Sequence, residues 1–133
     1  MRGLDTNVLL RLLLRDDEAQ SRKARALVDR SIHDSEVLHV SLPALCELVW
    51  VLGGRTANLG RQEIAATVER LLDTNGLELQ SRDAVREALA DYRAGDADFA
   101  DYLIGRLDRR AGCRDTATFD VRLARSDGFT VPR

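Results

Sequence analysis

A glutamate interrupts the most apolar stretch of the chain. From Ser41 to Leu52 the sequence reads Ser-Leu-Pro-Ala-Leu-Cys-Glu-Leu-Val-Trp-Val-Leu, with Glu47 its only charged residue. A helix apolar all round is expected to be buried all round. An unpaired carboxylate inside it costs several kcal/mol, so an arginine, a proton or a metal ion has to meet Glu47. Asp5 ends the first predicted strand, and Thr6 and Asn7 open a helix after it. In open α/β sheets ligands bind beyond the carboxyl ends of the strands. Thr118-Phe119-Asp120 repeats that arrangement late in the chain. Asp98 and Asp101, three residues apart, share one face at the start of a helix. Each acid alone has an ordinary reading: an N-cap for Asp5 and Asp120, a favourable helix dipole for Asp98 and Asp101, an arginine partner or an exposed helix edge for Glu47.

Together they point to chemistry. Carboxylates gathered in one place repel, so some protonate or a cation neutralises them. Hard oxygen ligands with no cysteine or histidine nearby select Mg²⁺ or Mn²⁺ over Zn²⁺. On a phosphodiester such a cation lowers the pKa of an attacking water and stabilises charge on the scissile phosphate. His33 and His39 lie outside the acid group. The chain has no Gly-rich phosphate loop, no nucleophile elbow and no Cys-x-x-Cys pair.

The elements that must position these acids alternate. Residues 2–5 read as a strand and 7–14 as an apolar helix. A helix over 17–31, started by Asp16 or Asp17, sets Ala24, Leu27, Val28 and Ile32 on one face. Residues 36–40 read as a strand. Ser41 caps the Glu47 helix, which tolerates Pro43 in its first turn and stops at Gly53-Gly54. Residues 61–73 carry Ile64, Ala65, Val68, Leu71 and Leu72 at helical spacing, and Gly76 is a stop signal. Residues 77–80 are a weak strand, and 83–93 a helix with Val85, Leu89 and Tyr92 on one side. After the Gly95-Asp96-Ala97 loop, residues 98–111 form a helix on Phe99, Leu103, Leu107 and Ala111. Short strands at 114–118 and 129–131 flank a small helix at 120–126. Strands alternating with helices predict a parallel sheet with helices on both faces.

Bulk properties set the frame. The 133 residues are expected to form one domain, 1–133. No apolar run approaches the roughly 20 residues of a membrane span. Asp5 sits inside the early apolar stretch, which a secretory signal would not place there, so a cytoplasmic protein with no membrane association is expected. Cys46 and Cys113 show no metal-ligand or disulfide spacing and read as reduced thiols. The net charge of −2 neither demands nor excludes nucleic acid. Nineteen of the twenty basic residues are arginine, the side chain suited to forked phosphate contacts.

The opening Leu-Asp-Thr-Asn-Val-Leu-Leu-Arg, the Glu47 helix, Asp98-Phe-Ala-Asp101-Tyr-Leu-Ile and Thr118-Phe-Asp120 together resemble the PIN-domain nucleases, and among them the VapC-type toxins of bacterial type II toxin–antitoxin systems. The resemblance runs from residue 3 to about residue 131. It implies a PIN-like three-layer α/β/α fold with a central parallel sheet of about four or five strands. It implies catalytic and metal-holding roles for Asp5, Glu47, Asp101 and Asp120. Thr6, Asn7, Asp98 and Thr118 are expected to support them, the threonines by orienting carboxylates or water. It further implies Mg²⁺- or Mn²⁺-dependent cleavage of RNA, a homodimer, and a VapB-like antitoxin that holds the toxin inactive. RNA must be held by phosphate contacts, for which Arg106, Arg109, Arg110 and Arg114 are the candidates; a solvated helix face is the plain alternative for each. A PIN-fold protein that binds RNA or a partner without cutting is the alternative function. A receiver-like signalling domain would want a lysine near the last strand, and the only lysine is Lys23. A phosphatase with a strand-end nucleophile would want an aspartate where Asn7 stands.

Overall fold

Apolar spacing decides where the helices lie, and caps decide where they begin. The computed structural model describes residues 1–14 and 16–133. The chain forms two compact units, Met1–Gln80 and Ser81–Arg133.

The first unit runs β1 (Arg2–Gly3), α1 (Thr6–Leu13), α2 (Glu18–His33), β2 (Leu38–Val40), α3 (Leu42–Leu52), α4 (Arg61–Asp73) and β3 (Leu77–Leu79). The three strands pair in parallel in the order β1-β2-β3, with Leu38 opposite Leu77 and Val40 opposite Leu79. These four side chains are buried, while His39 and Glu78 alternate with them and take the other side of the pleat. Asp17 caps α2 by accepting from the Gln20 amide at 3.0 Å. Ser41 caps α3 through the Ala44 amide at 3.4 Å, and Pro43 sits in the first turn, where a missing N–H costs nothing. Gly60 heads α4, and the Glu63 carboxylate reaches back to its amide at 3.2 Å. Ile64, Ala65, Val68, Leu71 and Leu72 bury the face that their spacing predicted.

One expectation for α2 is corrected. Ile32 is 55% exposed. The buried stripe runs through Ser21, Ala24 and Ser31, and Ile32 lies one residue, about 100° of helix, beyond it. Among the described residues no helix is long and apolar enough to cross a membrane. Cys46 and Cys113 are free thiols; burial pushes the Cys46 thiol up.

The second unit runs α5 (Arg82–Ala94), α6 (Phe99–Arg110), β4 (Thr116–Ala117), a 3₁₀ turn (Leu123–Arg125) and β5 (Phe129–Thr130). The small helix expected at 120–126 is reduced to this turn. Helix α6 ends one residue before Ala111, which is exposed at its C-cap. Val85, Leu89 and Tyr92 of α5 and Phe99, Tyr102 and Leu103 of α6 are buried. The Tyr92 and Phe99 rings meet edge to face at 6.0 Å. Arg106 joins the two helices. Its Nε and Nη2 donate to the two Asp91 oxygens at 2.7 and 2.8 Å, and its Nη1 to Glu87 at 3.1 Å. Arg110 pairs with Glu87 as well. Strands β4 and β5 pair in parallel, Thr116 opposite Phe129 and Ala117 opposite Thr130.

Phe129 lies against Gly105 of α6, where an added Cβ would stand 2.4 Å from the ring. Only glycine fits there. Gly105→Ala is therefore expected to lower stability by about 1–3 kcal/mol through overpacking, despite alanine's better helix propensity. Urea unfolding followed by far-UV circular dichroism will measure this; an unchanged midpoint would mean that the ring yields freely.

Candidate active site

Each unit carries part of the acid set. In the first, Leu4 is buried and hydrogen-bonded from its amide to the His39 carbonyl at 2.9 Å, so the chain leaves the sheet at Asp5. Asp5 holds the N-cap position of α1 with extended backbone, φ −77° and ψ 158°, yet its carboxylate takes no capping bond. The capping explanation for this residue therefore fails. The carboxylate is exposed, and among the described residues no ion pair involves it. Thr6, next along, is buried, and its hydroxyl donates to the Ala44 carbonyl at 3.4 Å. That bond ties the start of α1 to the first turns of α3. Thr6 thus fixes where Asp5 emerges. Asn7 points elsewhere: it lines a cleft of about 350 Å³ with Val8, Arg11, Gln20, Lys23, Ala24 and Leu27.

Glu47 requires a correction. Helix α3 is not buried all round. Leu45, Leu48 and Leu52 form its buried stripe, whereas Pro43, Glu47 and Trp50, at i, i+4 and i+7, form an exposed one. Glu47 lies in water and carries no burial cost. What is anomalous on this face is Trp50, 80% exposed.

In the second unit three acids feel one another. Asp98 is the N-cap residue of α6, again without a side-chain capping bond. Asp101 sits one turn in and is partly buried. Burial above all, then the charges of Asp98 and Asp120, hold the Asp101 carboxyl above the usual carboxylate range, against a hydrogen bond from the Asp98 backbone that pulls it down. Asp120 belongs to a fixed turn. The Thr118 amide donates to the Thr130 carbonyl at 2.8 Å, and the Asp120 amide donates to the Thr118 hydroxyl at 3.0 Å. Asp120 Oδ1 accepts from the amides of Arg122 and Leu123 at 2.9 and 3.1 Å. The capping explanation therefore holds for one Asp120 oxygen, and Thr118 shapes the loop that presents the residue. Asp96, in the loop before α6, pairs with Arg122 at 2.7 Å. Asp96 foremost, with a smaller share from Asp120, keeps the Arg122 guanidinium firmly charged.

The candidate phosphate-binding arginines divide. Arg106 is locked between Asp91 and Glu87, and Arg110 pairs with Glu87. Arg109 meets the exposed Asp127 only at 3.5 Å, and Arg114 meets Asp115 at 3.5 Å. Arg106 thus holds α5 to α6, while Arg109 and Arg114 remain loosely engaged.

The donor set suits a hard divalent ion. Within this unit, among the described residues, no three His, Cys, Asp or Glu side chains stand close enough to enclose a metal ion. Mg²⁺ does not ask for such a cage: it keeps several waters and is bound through one or two carboxylates plus substrate phosphate. Asp98 and Asp101 supply oxygen ligands that no cation of this unit neutralises among the described residues, and Asp120 keeps Oδ2 in hand.

A pH test follows. A carboxyl held above its ordinary range disfavours the folded state once ionised, so its contribution is favourable in acid and is lost as pH rises through the folded value. Asp101→Asn is expected to raise Tm at neutral pH in EDTA, with the gain vanishing below about pH 3.8. Differential scanning calorimetry across that range checks the sign; a lower Tm at pH 7 would contradict it.

Among known proteins, the family model described as PIN domain matches residues 4–128. The chain is also similar to a solved structure of Mycobacterium tuberculosis VapC20, a toxin that cleaves the sarcin-ricin loop. That similarity amounts to 18% identity, covering 96% of this chain and 96% of that one, with a TM-score of 0.43. No curated protein matches the chain.

Proposed function

The chain belongs to the PIN domain family, and from that premise we propose that it is a divalent-metal-dependent endoribonuclease, the toxin of a type II toxin–antitoxin pair. The observation that carries the reading is the setting of Asp101, a partly buried carboxyl whose ionisation is opposed by burial first and then by the charges of Asp98 and Asp120. A cation-binding role gives that repulsion a purpose. The order of Leu4-Asp5-Thr6-Asn7, Glu47, Asp98-Phe-Ala-Asp101 and Thr118-Phe-Asp120 along the chain supports the toxin assignment by its resemblance to VapC-type sequences.

Asp5, Glu47, Asp101 and Asp120 are the proposed ligands of Mg²⁺ or Mn²⁺, with Asp98 supporting them. The bound ion would stabilise charge on the scissile phosphate and make a water more acidic. The protein's own part is orientation. Thr6 fixes the emergence of Asp5 by bonding Ala44. The Arg122 and Leu123 amides hold the Asp120 carboxylate in one pose, and the Thr118 hydroxyl accepts from the Asp120 amide to shape the loop. Such preorganisation places reacting groups before the substrate arrives. Arg109 and Arg114, whose own partners hold them loosely, are the proposed phosphate contacts, with Arg106 and Arg110 contributing through the helix face they brace. Assembly as a homodimer and inhibition by a VapB-like antitoxin belong to the same proposal.

Purified protein should cut structured RNA with Mn²⁺ or Mg²⁺ and not in EDTA. Asp5→Ala and Asp101→Ala should each lose at least about 100-fold in rate, since even residues behind metal ligands cost 10–100-fold. Equal cleavage by all three proteins would end the nuclease reading. In parallel, Mn²⁺ should raise the wild-type Tm by mass action, and Glu47→Gln should weaken that rise.

A further inference from the structure

Within the second unit, three hydrogen-bond donors face one small pocket. It lies between the end of α5, the middle of α6 and the loop before β5, and holds about 220 Å³. Tyr102, Arg109, Ser126 and Asp127 line it, together with Asp91 and Arg106. The last two are closed on each other by bonds of 2.7 and 2.8 Å and offer no free charge.

The other polar groups are not closed. Tyr102 is 3% exposed, and its oxygen accepts from the Ala97 amide at 3.2 Å. A phenol also has one O–H to donate, and among the described residues nothing accepts it. The Ser126 hydroxyl has no partner among the described residues either. Arg109 meets only Asp127, at 3.5 Å.

Two glycines make room for these tips. A Cβ on Gly95 would stand 1.9 Å from the Tyr102 Oη, so any side chain there would push the hydroxyl out. A Cβ on Gly128 would stand 2.7 Å from the Arg109 Nη2 and displace the guanidinium, and the residue's φ of +88° favours glycine as well. Both polar groups thus hold places on the pocket wall that the backbone keeps open.

Asp127 does not settle Arg109. Its side chain is 99% exposed, and a pair of that kind is worth little in water. The carboxylate stands where the oxygens of a better ligand would go. A guanidinium forks onto two oxygens of one anion. A carboxylate ligand would then have none left for the two hydroxyls, whereas a phosphate has.

We propose that this pocket binds a phosphate group, held by the Arg109 guanidinium and the Tyr102 and Ser126 hydroxyls once Asp127 releases the arginine. In the nuclease reading Arg109 is one loose contact on an RNA backbone; the pocket goes beyond it and needs neither the acids nor a metal ion. The group is carried by a small sugar phosphate or by the end of an RNA chain.

The probe is inorganic phosphate, titrated calorimetrically in EDTA so that no cation brings it to the acids. Wild-type protein should bind it saturably, and acetate should not compete. Arg109→Gln and Tyr102→Phe should each weaken binding about 10- to 100-fold, the range for a hydrogen bond to a charged group. Asp127→Asn should tighten it roughly 2- to 5-fold by removing a competitor. Asp101→Ala should bind like wild type. Arg109 and Asp127 lie at the surface, so their variants decide the matter if Tyr102→Phe fails to fold. Tighter binding of ribose 5-phosphate than of free phosphate, with no gain from a 5′-phosphate on a tetranucleotide, assigns a small sugar phosphate; a gain from that 5′-phosphate assigns the end of an RNA chain.

Absence of saturable binding, equal binding of acetate, or Arg109→Gln and Asp127→Asn proteins that bind like wild type would overturn the proposal. Binding lost in Asp101→Ala would move the phosphate to the acids and overturn it too. Cleavage of RNA is read separately, so none of these results decides the nuclease reading.

Discussion

Repulsion among carboxylates at the head of α6 is the interaction around which the second unit is arranged. Burial above all, then the charges of Asp98 and Asp120, raises the affinity of Asp101 for its proton. The neighbouring guanidinium groups make their ion pairs with other acids, Arg122 alone also feeling Asp120. Arg106 grips Asp91 and Glu87, Arg110 grips Glu87, and Arg122 grips Asp96. These pairs hold α5 against α6 and the late loop against the α5–α6 turn without touching Asp98 or Asp101. In this unit Arg106, Arg110 and Arg122 thus work as braces and leave Asp98 and Asp101 without a salt link among the described residues.

Helix starts tell the same story at the level of local structure. Asp17 and Ser41 do what their residue types predict and satisfy free amides at the beginnings of α2 and α3. Asp5 and Asp98 occupy the equivalent positions on α1 and α6 and leave the amides alone. A capping bond is worth about 1 kcal/mol, and α1 and α6 forgo it. The packing of their buried faces, Leu9 on α1 and Phe99, Tyr102 and Leu103 on α6, carries them instead. What is given up locally leaves carboxylate oxygens available for an outside ligand.

The sequence made the elements readable because their patterns are one-dimensional. Helix α4 appears at its expected residues, 61–73, on an unambiguous apolar spacing, and the strand-to-helix turn at Asp5 falls where it was read, whereas Asp120 lies in a loop between Ala117 and the 3₁₀ turn at Leu123. Faces were harder. Helix α3 is apolar at nearly every position, so composition could not say that Pro43, Glu47 and Trp50 would be left in water; only the packing partner decides that. Ile32 shows the same limit, one residue off the stripe through Ser31. The arginines of α6 were legible as a positive run but not as partners of Glu87 and Asp91, because a single helix's sequence is silent about the acids on the next.

The bare indole of Trp50 also governs how this protein can be observed. Its ring sits in water while the chain is folded and will still sit in water once the chain is denatured, so the usual red shift that accompanies unfolding should be nearly absent. Tyr92 and Tyr102, both enclosed, are the chromophores that sense loss of tertiary structure, through near-ultraviolet dichroism. The molecule thereby separates two signals that most proteins entangle: tyrosine reports whether the interior is intact, and tryptophan reports what has settled on the surface.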